Sequence, residues 1–135
     1  MHPLQPAIER LASLGEVERN PEARQTFFDF REELTQGRIR AAEKISGQWV
    51  VNTWVKQGIL LGFRLGELAE MGDAGLSFVD KDTFPARRFS VADRVRVVPG
   101  GSSVRTGAYV APSVICMPPM FINVGAYVDE GTMVD

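Results

Sequence analysis

The sequence predicts an α+β chain. An N-terminal helical domain with a β-hairpin, residues 1–100, leads into the first coils of a left-handed parallel β-helix, residues 101–135. Three observations carry that prediction. Apolar residues recur at helical spacing in three separate segments before Gly66. Ser46-Gly47 separates two β-prone runs. From Val104 the apolar pattern changes to a strict period of six.

Composition bounds the rest. With 135 residues, 44% of them apolar, the chain can bury a core and is not of the disordered class. Lys and Arg total 15 against 17 for Asp and Glu; the net charge of −2 offers no general attraction to nucleic acid or an anionic membrane. Cys116 is the one cysteine, so no internal disulfide can form. No secretory pattern precedes the first helix and no apolar run has transmembrane length, so a soluble cytoplasmic protein is expected.

The first segment, Pro3 to Leu14, places Leu4, Ile8 and Leu11 on one helix stripe, with Gly15 as its stop. A second helix is signalled by Asn20 as cap and Pro21 at the first helical position. Its stripe is Ala23, Phe27, Phe30 and Leu34, and Gly37 suits the left-handed residue at its end. In the hairpin, Ile39, Ala41 and Ile45 fall on one side, interleaved with Arg40 and Lys44, and Trp49-Val50-Val51 follows the turn. Asn52 or Thr53 can cap a third helix from Trp54 to Leu65, closed by Gly66. Ile59, Leu60, Leu61, Phe63 and Leu65 cover several of its faces, which predicts burial. Residues 67–93 are less regular: Phe78-Val79 and Phe89 read as short strands, and Asp80-Lys81-Asp82 as a turn in a solvated loop. Arg94 to Val98 alternates as a strand, and Pro99-Gly100-Gly101 breaks it at the domain boundary.

Written in sixes, the end of the chain runs VRTGAY, VAPSVI, CMPPMF, INVGAY, VDEGTM, VD. The first position is always aliphatic or cysteine: Val104, Val110, Cys116, Ile122, Val128, Val134. The fifth is mostly small. Neither a helix nor a flat strand has this period. A triangular solenoid does: each six supplies one short strand and one corner, three sixes make a coil, and coils stack about 4.8 Å apart. First-position side chains then point inward, and Gly107, Gly125 and Gly131 serve the corners. Fewer than two coils fit between Val104 and Asp135, whereas solenoids need about three layers, so the chain reads as the front of a longer polypeptide.

Two stretches resemble one family. The first is Arg40-Ala41-Ala42-Glu43-Lys44 through Gly47-Gln48-Trp49-Val50, continued by Trp54-Val55-Lys56 and Leu60 to Arg64. The second is Asn123-Val124-Gly125-Ala126-Tyr127-Val128-Asp129-Glu130-Gly131-Thr132-Met133-Val134-Asp135, with Arg96-Val97-Val98-Pro99 and Met117-Pro118 also matching. They look like the tetrahydrodipicolinate N-succinyltransferases, and the resemblance covers most of the chain from about Arg38 onward.

What the resemblance implies is transfer of a succinyl group from succinyl-CoA to tetrahydrodipicolinate. The product is N-succinyl-2-amino-6-oxopimelate, in diaminopimelate and lysine synthesis. It also implies cytoplasmic homotrimers with active sites between adjacent β-helices, and CoA along later coils. Two family substrate-binding positions fall on this chain. Arg96 would grip a carboxylate of the acceptor, with Arg94 and Arg105 as alternatives because the Gly100-Gly101-Ser102-Ser103 stretch leaves the register open. Asp135 would bind substrate and act catalytically, orienting the neutral amine and accepting its proton. CoA-binding residues are not identifiable in this stretch, and the isolated chain is expected to be inactive.

Other readings are weaker. No metal site is predicted, since His2 is the only histidine and lies outside the repeat, so a three-histidine zinc site cannot be built. Cys116, in an inward slot, reads as core and not as nucleophile. Asp129 and Glu130 read as corner or interface residues. The non-catalytic alternative is an assembly or interaction fragment that pairs with another β-helix through an open coil edge.

Overall fold

The computed structural model describes residues 1–72 and 76–135. Helix α1 is Gln5–Ala12, two residues shorter at each end than the segment Pro3 to Leu14. The Leu4 N–H donates to Nδ1 of His2 at 3.1 Å, which holds the entry as a turn. At the other end the Ser13 and Leu14 N–H groups reach carbonyls three residues back and tighten the last turn. Helix α2, Ala23–Thr35, starts two residues beyond Pro21. Asn20 Oδ1 accepts from the Glu22 N–H at 2.9 Å, so Asn20 closes the turn ahead of the helix and is not its N-cap. The predicted stripe Ala23, Phe27, Phe30 and Leu34 is buried.

Strands β1 (Ala42–Ile45) and β2 (Gln48–Val51) pair antiparallel around Ser46 and Gly47, whose φ of 49° and 80° give the turn with two left-handed residues. Of the side expected to pack, Ile39 is buried and Ala41 touches the core, but Ile45 is 50% exposed because the hairpin projects from the domain. Helix α3, Thr53–Leu65, buries Trp54, Val55, Leu61 and Leu65. Burial on all faces fails at Leu60, which is 52% exposed. Gly58 and Gly62 let α3 approach α2: a Cβ at Gly58 would lie 2.5 Å from the Phe30 ring, and one at Gly62 would overlap the Phe27 ring. Helical glycine costs about 1 kcal/mol against alanine. Here that cost is offset by aromatic packing, with Phe27 edge-on to Phe84 at 5.3 Å.

Strands β3 (Leu68–Met71) and β4 (Phe78–Lys81) form a second antiparallel hairpin. Asp80 and Lys81 belong to the strand, and the charges expected in a solvated loop are engaged. Asp80 pairs with Arg105 at 2.9 Å, Asp82 with Arg24 at 3.2 Å, and Lys81 donates to the Gly66 carbonyl at 3.0 Å. Together they anchor the hairpin to α2, to the end of α3 and to the repeat. Residues 73–75 lie outside the described residues. Phe89 is not in a strand; it packs against the core of the repeat under the Arg87 guanidinium.

The repeat winds as a three-sided parallel coil. Its strands are β5 (Arg96–Val97), β6 (Ser103–Val104), β7 (Tyr109–Val110), β8 (Ile115–Cys116), β9 (Phe121–Ile122), β10 (Tyr127–Val128) and β11 (Met133–Val134). They form three separate parallel ladders, β5–β8–β11, β6–β9 and β7–β10. Partners are 18 residues apart, as in Ser103↔Phe121, Tyr109↔Tyr127 and Ile115↔Met133. The first-position side chains Val104, Val110, Cys116 and Ile122 are buried in one cluster, with Val97, Val128 and Val134 packed on it. Left-handed backbone recurs at the fourth position of the six, at Gly107, Ser113, Gly125 and Gly131 (φ 98°, 81°, 88° and 74°). Ser113 tolerates it with its N–H on the Arg94 carbonyl and its Oγ accepting from Gly131 N–H, both at 2.8 Å.

Candidate active site

The three faces of the coil differ in what covers them. On β7–β10, Tyr109 and Tyr127 stack at 4.6 Å beneath the Arg40 guanidinium, which lies 3.7 Å from the Tyr127 ring. Thr35 Oγ1 accepts from Gly107 N–H at 2.8 Å beside them, so the end of α2 seats on this face. On β6–β9, residues 85–87 run alongside β6, with the Arg87 N–H on the Val104 carbonyl at 2.7 Å, and the β3–β4 hairpin overhangs. The third face, β5–β8–β11, turns Arg96, Ile115 and Met133 outward, and Met133 is 57% exposed. Among the described residues, no hydrogen bond, ion pair or ring contact from the helical domain reaches those three side chains.

The predicted residues sort onto these faces. Arg96 pairs with Ile115, 19 positions on instead of 18, so the Pro99–Ser102 stretch inserts one residue between β5 and the first hexad. Its backbone is fixed in the ladder, where the Arg96 N–H donates to the Val114 carbonyl at 3.0 Å, and its side chain is exposed. Asp135 follows β11 on the same sheet, and its side chain is exposed as well. Two strand spacings, about 10 Å, separate β5 from β11. A small polar molecule lying across β8 can therefore be reached from both sides.

The alternatives part company. Arg94 stands two residues before Arg96 at the left-handed end of the 91–93 turn, with φ 55° and an exposed side chain. Arg105 is elsewhere and already occupied. One of its nitrogens binds Asp80 at 2.9 Å, another binds Asn123 at 3.1 Å, and its guanidinium lies over the Phe63, Phe84 and Phe121 rings. Burial pushes the Asp80 carboxyl up, but the Lys81 N–H, the Arg105 hydrogen bond and the Arg105 charge outweigh it and hold it below the usual carboxylate range. This pair joins residues far apart in sequence across two elements, and no local pattern announces it. Beside it an apolar cleft of 390 Å³ is lined by Met71, Phe78, Val79, Phe84 and Phe121; neither Arg96 nor Asp135 lines it.

The remaining chemical groups are structural. Cys116 is fully buried, and burial pushes its thiol above the ordinary range, so it is a core thiol and a poor nucleophile. His2 stacks on Trp54 at 5.8 Å, with its Nδ1 taken by the Leu4 N–H. Asp129 caps its own corner, accepting from the Glu130 N–H at 2.8 Å. Burial, followed by Tyr127, Asp129 and Glu130, raises the Tyr109 phenol above its usual value. Among the described residues, no three His, Cys, Asp or Glu side chains stand together as a metal site, and no helix is long and apolar enough to cross a membrane.

Residues 4–65 match the family model of the tetrahydrodipicolinate N-succinyltransferase N-terminal domain. Relatives named 2,3,4,5-tetrahydropyridine-2,6-dicarboxylate N-succinyltransferase extend the likeness along the chain. That from Acinetobacter baylyi is 38% identical over 137 residues, covering 98% of this chain and 49% of the relative. That from Dechloromonas aromatica is 41% identical over 145 residues, covering 99% and 51%. Over nearly its whole length the chain is similar to the tetrahydrodipicolinate N-succinyltransferase family. A further member, from Paramagnetospirillum magneticum, is 45% identical over 109 residues, covering 76% of this chain and 38% of its own length. The chain thus spans about half the length of the curated relatives it matches. The likeness also begins much earlier than Arg38: the family's N-terminal domain takes in α1 and α2, whose sequence shows only helical character without the family model.

Proposed function

We propose that this chain is the N-terminal part of a left-handed β-helix acyltransferase that moves a succinyl group from succinyl-CoA to tetrahydrodipicolinate. The product is N-succinyl-2-amino-6-oxopimelate, on the way to diaminopimelate and lysine. The reading rests on Arg96 and Asp135 standing, both exposed, on the β5–β8–β11 face of the coil, whose outward side chains meet no polar or ring contact from the helical domain among the described residues. The names of the relatives support it. Arg96 holds a carboxylate of the acceptor through its guanidinium fork. Asp135 orients the acceptor amine and takes its proton as the nitrogen attacks the thioester carbonyl. The N–C bond forms, the C–S bond breaks, and CoA leaves as thiolate, which is then protonated. In this reading the enzyme is a cytoplasmic homotrimer without a metal. An adjacent copy closes the open face, and CoA lies along coils beyond residue 135. The chain divides near residue 100 into a helical and a coil domain, with β5 reaching across that boundary to pair with β8.

A chimera tests it: residues 1–135 joined to the C-terminal half of the Acinetobacter baylyi relative. Thiol release from succinyl-CoA is followed with and without tetrahydrodipicolinate. Acceptor-dependent release is expected from the chimera and not from residues 1–135 alone. Arg96→Gln and Asp135→Asn should each lower it at least a hundredfold. Equal rates with and without the acceptor sink the assignment.

A further inference from the structure

The arginines of this chain are nearly all committed. Arg24, Arg31, Arg38, Arg64, Arg87 and Arg105 hold carbonyls or carboxylates, Arg10 and Arg19 pair with glutamates, and Arg40 lies on Tyr127. Arg88 has a partner as well. Among the described residues the two guanidiniums with none are Arg94 and Arg96, and both are exposed at the start of the β5–β8–β11 face. The backbone of Arg94 is nonetheless fixed. Its carbonyl accepts from Ser113 N–H at 2.8 Å and its N–H donates to the Val91 carbonyl at 3.1 Å. Ser90 and Asp93 close the turn before it through a reciprocal capping box. A non-glycine residue at φ 55° is uncommon, and here it sits at a hydrogen-bonded corner whose side chain is exposed and makes no hydrogen bond, ion pair or ring contact among the described residues.

We infer that Arg94 is a second acceptor-binding residue, and that the two carboxylates of the acceptor are divided between Arg94 and Arg96. This rests on the proposed function, whose acceptor is a seven-carbon dicarboxylate. The order along the face suits that molecule. Asp135 continues β11 past Val134, whose counterpart on β5 is Val97; it therefore lies beyond Arg96, on the side away from Arg94. The amine at Asp135, the carboxylate next to it on Arg96 and the far carboxylate on Arg94 then follow the order of the carbon chain. Positions 94 and 96 are at most about 7 Å apart along the backbone, within reach of the two ends once flexible arginine stems extend. Arg94 is thus a specificity-determining residue: it favours a dicarboxylate over a monocarboxylate, whereas Arg96 serves both.

Direct binding to residues 1–135 tests this with two stable probes, pimelate and the equally long monocarboxylate heptanoate, read by calorimetry and by guanidinium NMR shifts. The unmodified chain should bind pimelate at least tenfold more tightly than heptanoate. Arg94→Gln should bring pimelate down to the heptanoate level and leave heptanoate unchanged. Arg94→Gly, which suits the left-handed backbone, should do the same with the fold secured, and Arg94→Lys should restore part of the preference. Arg96→Gln should weaken both probes. An undiminished pimelate preference in Arg94→Gln and Arg94→Gly overturns the inference, and so does an unmodified chain that binds neither probe or shows no preference. If Arg96→Gln changes nothing while Arg94 variants do, the assignment of Arg96 in the proposed function fails and with it the division of the two carboxylates, whereas Arg94 stands as a carboxylate-binding residue.

Discussion

The two halves of the molecule build their cores in opposite ways. The helical half is held by large rings, Phe27, Phe30, Phe84 and Trp54, set against glycines that bring α2 and α3 together. The coil is held by valines, isoleucine, alanines and one cysteine, with Val104, Val110, Cys116 and Ile122 in the slot that recurs every six residues. A few large side chains concentrate stability in a few positions. A stack of small ones spreads it thinly and makes position in the period matter more than size. The same contrast sorts function. The half with the large core packs against two faces of the coil, and the third face is left carrying the exposed arginines and Asp135.

Phe27 stands at the centre of the ring cluster. Phe27→Ala leaves a cavity where three other rings and the α3 glycine converge, and should cost about 4 kcal/mol in urea unfolding. A loss below about 1 kcal/mol would mean that the rings do not carry this half. The matching change in the coil, Val104→Ala, removes two methyl groups and should cost about 2 kcal/mol. A coil substitution as costly as Phe27→Ala would erase the contrast.

The junction between the halves is the next test. Arg105→Met keeps much of the stem but strands Asp80 and Asn123, and should cost about 1.5 kcal/mol. Hydrogen exchange should quicken first in β3–β4 and β6–β9, and uniform quickening would argue against a local anchor. The same pair responds to acid. Asp80 is held below the ordinary carboxylate range, and so is Asp82, through the Glu67 N–H and then Arg24. A depressed folded-state pKa contributes stability that is complete above the unfolded value, about 3.9, and is lost as pH falls through the folded value. Melting temperature should therefore drop on going from pH 5 to pH 3, and less steeply in Asp80→Asn than in the unmodified chain. An equal slope would detach Asp80 from that loss. The smallest effect belongs to the turn of the exposed hairpin. Ser46→Asn places a residue suited to φ 49° before Gly47 and should stabilise by about 0.5 kcal/mol. Destabilisation would contradict the turn geometry.

Legibility divided along similar lines. The stripes of α1 and α2, the hairpin turn at Ser46-Gly47 and the inward residues of the coil follow from spacing, because periodicity alone decides which side of an element is apolar. Helix ends slipped by up to two residues, since Asn20 and Ser13 close turns that spacing does not register. The exposure of Ile45 and Leu60 was hidden, because an apolar residue states a preference for burial without guaranteeing a neighbour to bury it. Asp80 and Asp82 read as loop charges because their partners are distant in the chain.

Spacing along the chain is enough for the helix stripes, the period of six and the inward column from Val104 to Val134, and residue identity carries the motif ending at Asp135. The first three are properties of nearest neighbours and repeat distance; the motif is a match of residue identities. Folding in three dimensions was needed to turn Arg96 outward opposite Ile115, to engage Arg105 with Asp80 and Asn123 and, among the described residues, to leave the β5–β8–β11 side chains without polar contacts from the helical half. Those outcomes depend on which residues far apart in the chain come within hydrogen-bonding reach, and the one-residue insertion ahead of the repeat sets the register of β5 against β8.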